Sequence, residues 1–237
     1  MSKRAVILAG GKGTRLKPYT VVLPKPLMPI GDFPILEVIV RQLAADGFDH
    51  ITMAVNHQAE IIKAFFHDGT RWGINIDYSL ENRPLSTMGP LKLIKSLPED
   101  FLVMNGDVLT DLDFAEFFEF HTKQKNIFTI SSYVREEAID YGVLRTDPDG
   151  RVCQFDEKPK IRCEVSMGVY CVNTRVLDLI PSDTSYGFDS LMLDLIAAKE
   201  PAIVRPHHGY WLDIGRPDDY IAAIDIFEKS SETFLRR

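Results

Sequence analysis

Short strand-like segments rich in apolar residues recur along this chain at 3–9, 51–55, 74–78 and 101–105, and the stretches between them carry apolar residues at helical spacing. Residues 34–46 set Ile35, Leu36, Ile39, Val40 and Leu43 on one face, which predicts an amphipathic helix, and 59–67 and 87–96 read the same way. Short continuous apolar strands are buried on both faces. Their alternation with helices predicts an α/β fold built on a mostly parallel sheet in three layers. After a Phe- and Glu-rich helix at 114–123 the pattern changes to short strands at 127–135, 141–146, 151–155 and 165–172. Asp147-Pro148-Asp149-Gly150 supplies the turn of a hairpin, so a small antiparallel excursion is expected there. Helices at 188–199 and 217–229 flank a strand-like 209–214, and no linker divides the chain.

Composition narrows the class. With 237 residues, 45% of them hydrophobic and 26% charged, the chain can bury one large core as a single domain. No run of about eighteen apolar residues exists, and Met1-Ser2-Lys3-Arg4 leads straight into the first apolar run, so neither a membrane span nor a signal peptide is expected and the cytoplasm is the expected compartment. Cys153, Cys163 and Cys171 are an odd count without metal-ligand spacing, and Cys171 reads as a buried thiol. The net charge of −7 argues against a nucleic-acid surface.

Chemistry concentrates after the first strand, in Leu8-Ala9-Gly10-Gly11-Lys12-Gly13-Thr14-Arg15-Leu16-Lys17-Pro18. Glycines let a backbone approach a polyphosphate, and exposed N–H groups beside Lys and Arg are what a triphosphate requires. Two familiar motifs are excluded: no window supplies Gly-x-x-x-x-Gly-Lys-Ser/Thr, and Leu16 stands where a dinucleotide fingerprint needs its third Gly or Ala. Lys12, Arg15, Lys17 and Lys25 crowd one segment, so cations gather within a screening length of roughly 8 Å despite the acidic total. Lys25 stands on a rail of prolines, Leu23-Pro24-Lys25-Pro26-Leu27-Met28-Pro29. Asn105-Gly106-Asp107 follows an apolar strand, so Asp107 is expected at a carboxyl strand end, where α/β sheets place ligands and where a carboxylate can hold Mg²⁺.

Gly10 to Thr20, Pro24-Lys25-Pro26-Leu27-Met28-Pro29-Ile30-Gly31, Asn105-Gly106-Asp107, Phe155-Asp156-Glu157-Lys158-Pro159 and Trp211-Leu212-Asp213-Ile214-Gly215 together resemble the sugar-1-phosphate nucleotidylyltransferases. The motifs occur in the family's order over nearly the whole chain. The resemblance implies a Rossmann-like three-layer sandwich with a nucleotide half at about 1–112 and a sugar half at about 113–237. It implies attack by the phosphate of a sugar 1-phosphate on the α-phosphorus of a nucleoside triphosphate, with pyrophosphate leaving in line. Such a reaction needs cations and positioning more than a general base.

Carried onto this sequence, the resemblance gives Arg15 to the β and γ phosphates and Lys25 to the α-phosphate and the incoming phosphate. It gives Asp107 and Asp213 to Mg²⁺, and Leu8, Gly10, Gly11, Gly13, Thr14, Glu81, Pro84, Thr87 and Gly106 to the nucleotide. Gly142, Glu157, Lys158 and Ser166 fall to the sugar phosphate. Two segments depart from the family. Ser166 replaces the usual Asn, which implies a different sugar or a bridging water. Pro84-Leu85-Ser86-Thr87-Met88-Gly89 replaces a Gly-rich version, so Ser86 stands at the closest backbone approach. Glu81, an acceptor-only carboxylate, suits the N–H donors of guanine. The expected enzyme is therefore a guanylyltransferase of the mannose or heptose 1-phosphate type, similar to its short single-domain members. Uridylyl, thymidylyl or cytidylyl transfer is the alternative. A non-catalytic nucleotide-sugar-binding subunit is the alternative from another class, and it has no need of Arg15, Lys25, Asp107 and Asp213 together. The sequence carries no hexapeptide repeat that would add a second activity, and it leaves homo-oligomer formation open.

Overall fold

Four of the apolar runs become neighbours in one seven-stranded sheet. The computed structural model describes residues 2–56, 58–200 and 202–236. Strands β1 (Arg4–Leu8), β2 (His50–Val55), β3 (Asn75–Leu80) and β4 (Asp100–Asn105) are parallel neighbours in the order β4-β1-β2-β3. β1 and β2 are buried almost end to end, and so is the middle of β4, which explains why these segments read as rich in apolar residues. A two-stranded ribbon follows, made by β5 (Val108–Thr110) with a partner from the far end of the chain.

The antiparallel part begins with β6 (Phe128–Ala138). The short strands β7 (Val143–Thr146) and β8 (Val152–Asp156) then form the expected hairpin across the Asp147 turn, and the chain returns as β9 (Lys160–Asn173). β9 pairs antiparallel with both β4 and β6, with an irregularity between Ser166 and Tyr170. β10 (Ile203–His207) closes the sheet parallel to β6, and β11 (Trp211–Asp213) is the ribbon partner of β5. The sheet order is therefore β10-β6-β9-β4-β1-β2-β3.

Helices cover both faces. α1 (Ile35–Ala45), α2 (Ala59–Phe66), α3 (Phe114–Gln124) and α5 (Pro217–Leu235) pack against one side. α4 (Phe188–Ala197) packs with the turns Gly89–Leu93 and Thr174–Leu179 against the other. The predicted apolar face of α1 is wholly buried, and each such Leu or Ile contributes about 1.5–3 kcal/mol by leaving water. Asp113 caps α3 by accepting from Glu116 N at 2.7 Å. No helix among the described residues is long and apolar enough to cross a membrane.

Several expectations are corrected. Residues 87–96 do not form an α-helix but a single five-residue 3-10 turn, Gly89–Leu93. Leu91 N and Ile94 N donate three residues back, to Met88 O and Leu91 O, and Ser96 turns left-handed at φ 57° just before Leu97-Pro98. β10 was not legible, because Ile203-Val204-Arg205-Pro206-His207 is an edge strand with a proline and no clean alternation. α5 runs six residues past the expected end at Lys229, across a kink at Ser230. His207 is held by Asp111, with Nε2 2.8 Å from Oδ1, and its neighbour His208 is exposed. Cys171 is fully buried, and burial pushes its thiol up.

Candidate active site

A cavity of about 550 Å³ opens at the carboxyl ends of β1 and β4. The chain passes from β1 outward to β2 and β3 and then crosses back to β4 on the other side of β1, so this crevice is a topological switch point. Leu8 and Asn105 are register partners at its floor, and Gly106 N donates to Leu8 O at 3.0 Å. The loop after β1 contributes Ala9, Gly10, Gly11 and Lys12 to the lining.

Gly13 turns the loop back. It adopts φ 58°, caps the 3-10 turn Thr14–Leu16, and its carbonyl accepts from Thr20 Oγ1 at 2.7 Å. A Cβ here would lie 3.1 Å from Lys25 Cβ, so only glycine combines this conformation with close packing on the proline rail. Lys25 begins the 3-10 turn Lys25–Leu27 behind Pro24 and is 8% exposed. Its ammonium donates to Asp107 Oδ2. The other oxygen, Asp107 Oδ1, is buried and has no hydrogen-bonding partner.

The second carboxylate reaches the site through tertiary structure. β11 lies antiparallel to β5 with Asp213 opposite Val108, and Ile214 N donates to Asp107 O at 3.1 Å. Burial raises the Asp213 carboxyl above the ordinary range, the neighbouring Asp107 charge raises it further, and Lys25 and Arg15 oppose both. Arg15 and Asp213 meet over Gly215: a Cβ there would be 3.2 Å from Asp213 Oδ2 and 3.3 Å from Arg15 Nη2. An orphaned carboxylate oxygen beside a second, disfavoured carboxylate suits a hard cation. Mg²⁺ commonly takes one or two carboxylates and completes its shell with phosphate and water oxygens. No group of three protein ligands gathers among the described residues, so substrate oxygens would have to supply the remainder.

Glu81 forms the inner wall. It is 8% exposed, Oε2 accepts from Leu85 N at 3.2 Å, and burial raises its carboxyl against that hydrogen bond. Oε1 lies 3.0 Å from where a Cβ on Gly10 would sit, so the carboxylate is directly under the glycine loop. Pro84, Ser86, Thr87 and Pro90 complete this side.

Of the nucleotide candidates, Leu8, Gly10, Gly11, Glu81, Pro84, Thr87 and Gly106 line the cavity with Lys25 and Asp107. Gly13, Thr14, Arg15 and Asp213 stand outside the lining, Thr14 and Arg15 being exposed. The sugar candidates are not brought into the cavity. Gly142 packs on Phe155 and Glu157, where a Cβ would lie 2.6 Å and 3.2 Å from their atoms. Lys158 is exposed with φ 45°. The Ser166 hydroxyl is engaged, donating to Tyr170 Oη at 3.1 Å and accepting from Gly168 N at 3.3 Å. Sequence reasoning missed Asn56 and Asn105, which line the cavity at the ends of β2 and β4; their place at the carboxyl end of an apolar strand is the signal that identified Asp107.

Ser86 has the left-handed φ of 64° that a glycine adopts freely. Ser86→Gly should therefore raise stability by about 0.5–1 kcal/mol, seen as an upward shift of about 1–4 °C in the thermal midpoint. An unchanged or lower midpoint would show that the serine carries no backbone strain.

Cations and paired acids gathered at a sheet's switch point serve proteins that hold a phosphoanhydride for attack, and here they sit on the Rossmann-like scaffold of the nucleotidyltransferases. Residues 4–230 match the Nucleotidyl transferase family, and the chain belongs to it. It is 36% identical over 241 residues to a UTP–glucose-1-phosphate uridylyltransferase of Synechocystis, covering 93% of this chain and 62% of that one. It is 35% identical over 235 residues to a mannose-1-phosphate guanyltransferase of Yarrowia lipolytica, covering 96% and 64%. This chain thus spans under two thirds of the length of either relative. HddC from Yersinia pseudotuberculosis, crystallised with GMP-PN, superposes with a TM-score of 0.72 at 28% identity, covering 95% of this chain and 99% of that one. Enzymes of the family are generally dependent on a divalent metal ion.

Proposed function

We propose that this protein transfers GMP from GTP to a mannose- or heptose-type sugar 1-phosphate, releasing pyrophosphate. The observation that carries the reading is the junction of Lys25 and Asp107, in the lining of a cavity whose inner wall holds a buried carboxylate, with Asp213 and Arg15 beside them. A sugar-phosphate oxygen bonds to the α-phosphorus as the bond to the pyrophosphate oxygen breaks, and the electron pair leaves on pyrophosphate. Lys25 neutralises the meeting phosphates and Arg15 the β and γ groups. Phosphate oxygens are already ionised near neutral pH, so no base is required.

Asp107 and Asp213 would hold a magnesium ion, which when bound supplies positive charge to the phosphates. Gly10, Gly11, Gly13, Thr14 and Gly106 give the nucleotide backbone contacts. Gly142, Glu157, Lys158 and Ser166 serve the sugar phosphate from the antiparallel half, at about 113–237, and the cytoplasm supplies both substrates.

Glu81 favours guanine, because a carboxylate accepts from both N1–H and N2–H₂, whereas uracil offers a single ring donor. Pyrophosphate release measured for each nucleoside triphosphate with mannose and heptose 1-phosphates tests this reading, and exclusive use of UTP or dTTP overturns it. Glu81→Gln should raise KM for GTP by about 10- to 100-fold, the worth of a hydrogen bond to a charged group. An unchanged preference for GTP in that variant removes Glu81 from base recognition.

A further inference from the structure

The wall formed by Pro84, Ser86, Thr87 and Pro90 has little local support, since its only regular element is the Gly89–Leu93 turn. Apart from Leu85 N to Glu81 Oε2 and the bonds of the turn itself, its hydrogen bonds run to a loop about a hundred residues downstream. Tyr186 N donates to Leu85 O, and Met88 N and Gly89 N both donate to Tyr186 O, each at 3.0 Å. Phe188 N donates to Thr87 Oγ1 at 2.8 Å. A Cβ on Gly187 would lie 3.2 Å from Ser86 Oγ, so loop and wall are in direct contact.

Tyr186 connects this seam to the rest of the fold. It is 7% exposed, and its hydroxyl donates at 2.5 Å to Asp194 Oδ2 on α4, whose Leu191 and Leu195 are fully buried in the core. The main chain of Tyr186 therefore satisfies three backbone groups of the wall, while its side chain is tied to a packed helix. Burial and Asp194 both keep the phenol protonated, as a donor.

We infer that Tyr186 is a positioning residue for the nucleotide: anchored by Asp194, it holds the 85–89 wall in the shape that receives the triphosphate, without touching substrate itself. The inference rests on the reading of the cavity as a nucleotide site. It separates this tyrosine from a merely structural core residue, whose loss would weaken the fold and depress every kinetic constant together.

The test is Tyr186→Phe, with Asp194→Ala as a second way to cut the same bond and Asp194→Asn as the variant that keeps an acceptor. GTP binding with Mg²⁺ is measured by calorimetry without sugar phosphate, beside steady-state constants and amide exchange. Tyr186→Phe and Asp194→Ala should each weaken GTP binding and raise its KM by about tenfold, the equivalent of one ordinary hydrogen bond. Exchange at the Met88 and Gly89 amides should quicken, KM for the sugar 1-phosphate and kcat should stay within about twofold of wild type, and Asp194→Asn should restore binding. GTP affinity unchanged in both bond-cutting variants, or all constants falling in proportion, overturns the inference alone. A wild-type protein that binds none of the nucleoside triphosphates overturns the functional reading and this inference with it.

Discussion

Lys25→Ala is expected to lower kcat by about 10²- to 10³-fold, the loss typical of removing one preorganised group that stabilises transition-state charge. Two polyanions must meet at this site, and Lys25 is the buried cation between the glycine loop and Asp107. Water cannot replace it in kind, because a solvent dipole must reorganise as charge moves whereas the ammonium is already in position. Lys25→Arg should not rescue: the Lys25 stem is packed by Gly13 and flanked by Pro24 and Pro26, and a planar guanidinium does not reproduce a compact point charge. The fold should survive. A fully buried ion pair broken on one side costs about 3–5 kcal/mol, but the Asp107 side chain is 21% exposed to the cavity and keeps part of its hydration. Pyrophosphate release under saturating substrates measures the effect, with circular dichroism as the check on folding. A variant within threefold of wild type would remove Lys25 from the chemistry.

The parts of this site that lie within one stretch of chain were legible in the sequence. A buried parallel strand ending in glycines and cations announces its ligand end, and so does Phe101 to Asn105 with Asp107 just beyond it. What sequence periodicity could not supply is the approach of Asp213 to Asp107, because β5 and β11 are three-residue strands whose pairing is purely tertiary. That partner came only from the family resemblance. The 87–96 segment failed for a related reason: its apolar residues have helical spacing, yet its amide donors are drawn to Tyr186 on a distant loop. Asn56 passed unnoticed because the rule that found Asp107, a polar residue just past a buried strand, was applied to one strand end and not to its neighbour.

That tertiary approach makes Asp213→Asn the other large expected effect, a fall in kcat of about 10³-fold joined to a rise in stability. In the protein alone Asp213 is half-buried beside Asp107, an arrangement that disfavours its charge in spite of Lys25 and Arg15. A neutral isostere relieves both the burial cost and the like-charge repulsion, so the thermal midpoint should rise, by on the order of 1 kcal/mol or about 2–4 °C. Asp107→Asn should lose as much activity without that gain, because Lys25 would lose the anion it is paired with. Ligand linkage separates the roles further. At about a hundredfold excess over its dissociation constant, GTP with Mg²⁺ should stabilise the wild type by about 2.7 kcal/mol. Either variant should lose most of the part that depends on the metal while keeping the part seen with GTP in EDTA. A stable, inactive Asp213→Asn that has lost its magnesium response is the signature of a carboxylate held against its own preference for the sake of a cation. A variant that is less stable than wild type but still turns over would make Asp213 a structural residue of the β5–β11 ribbon.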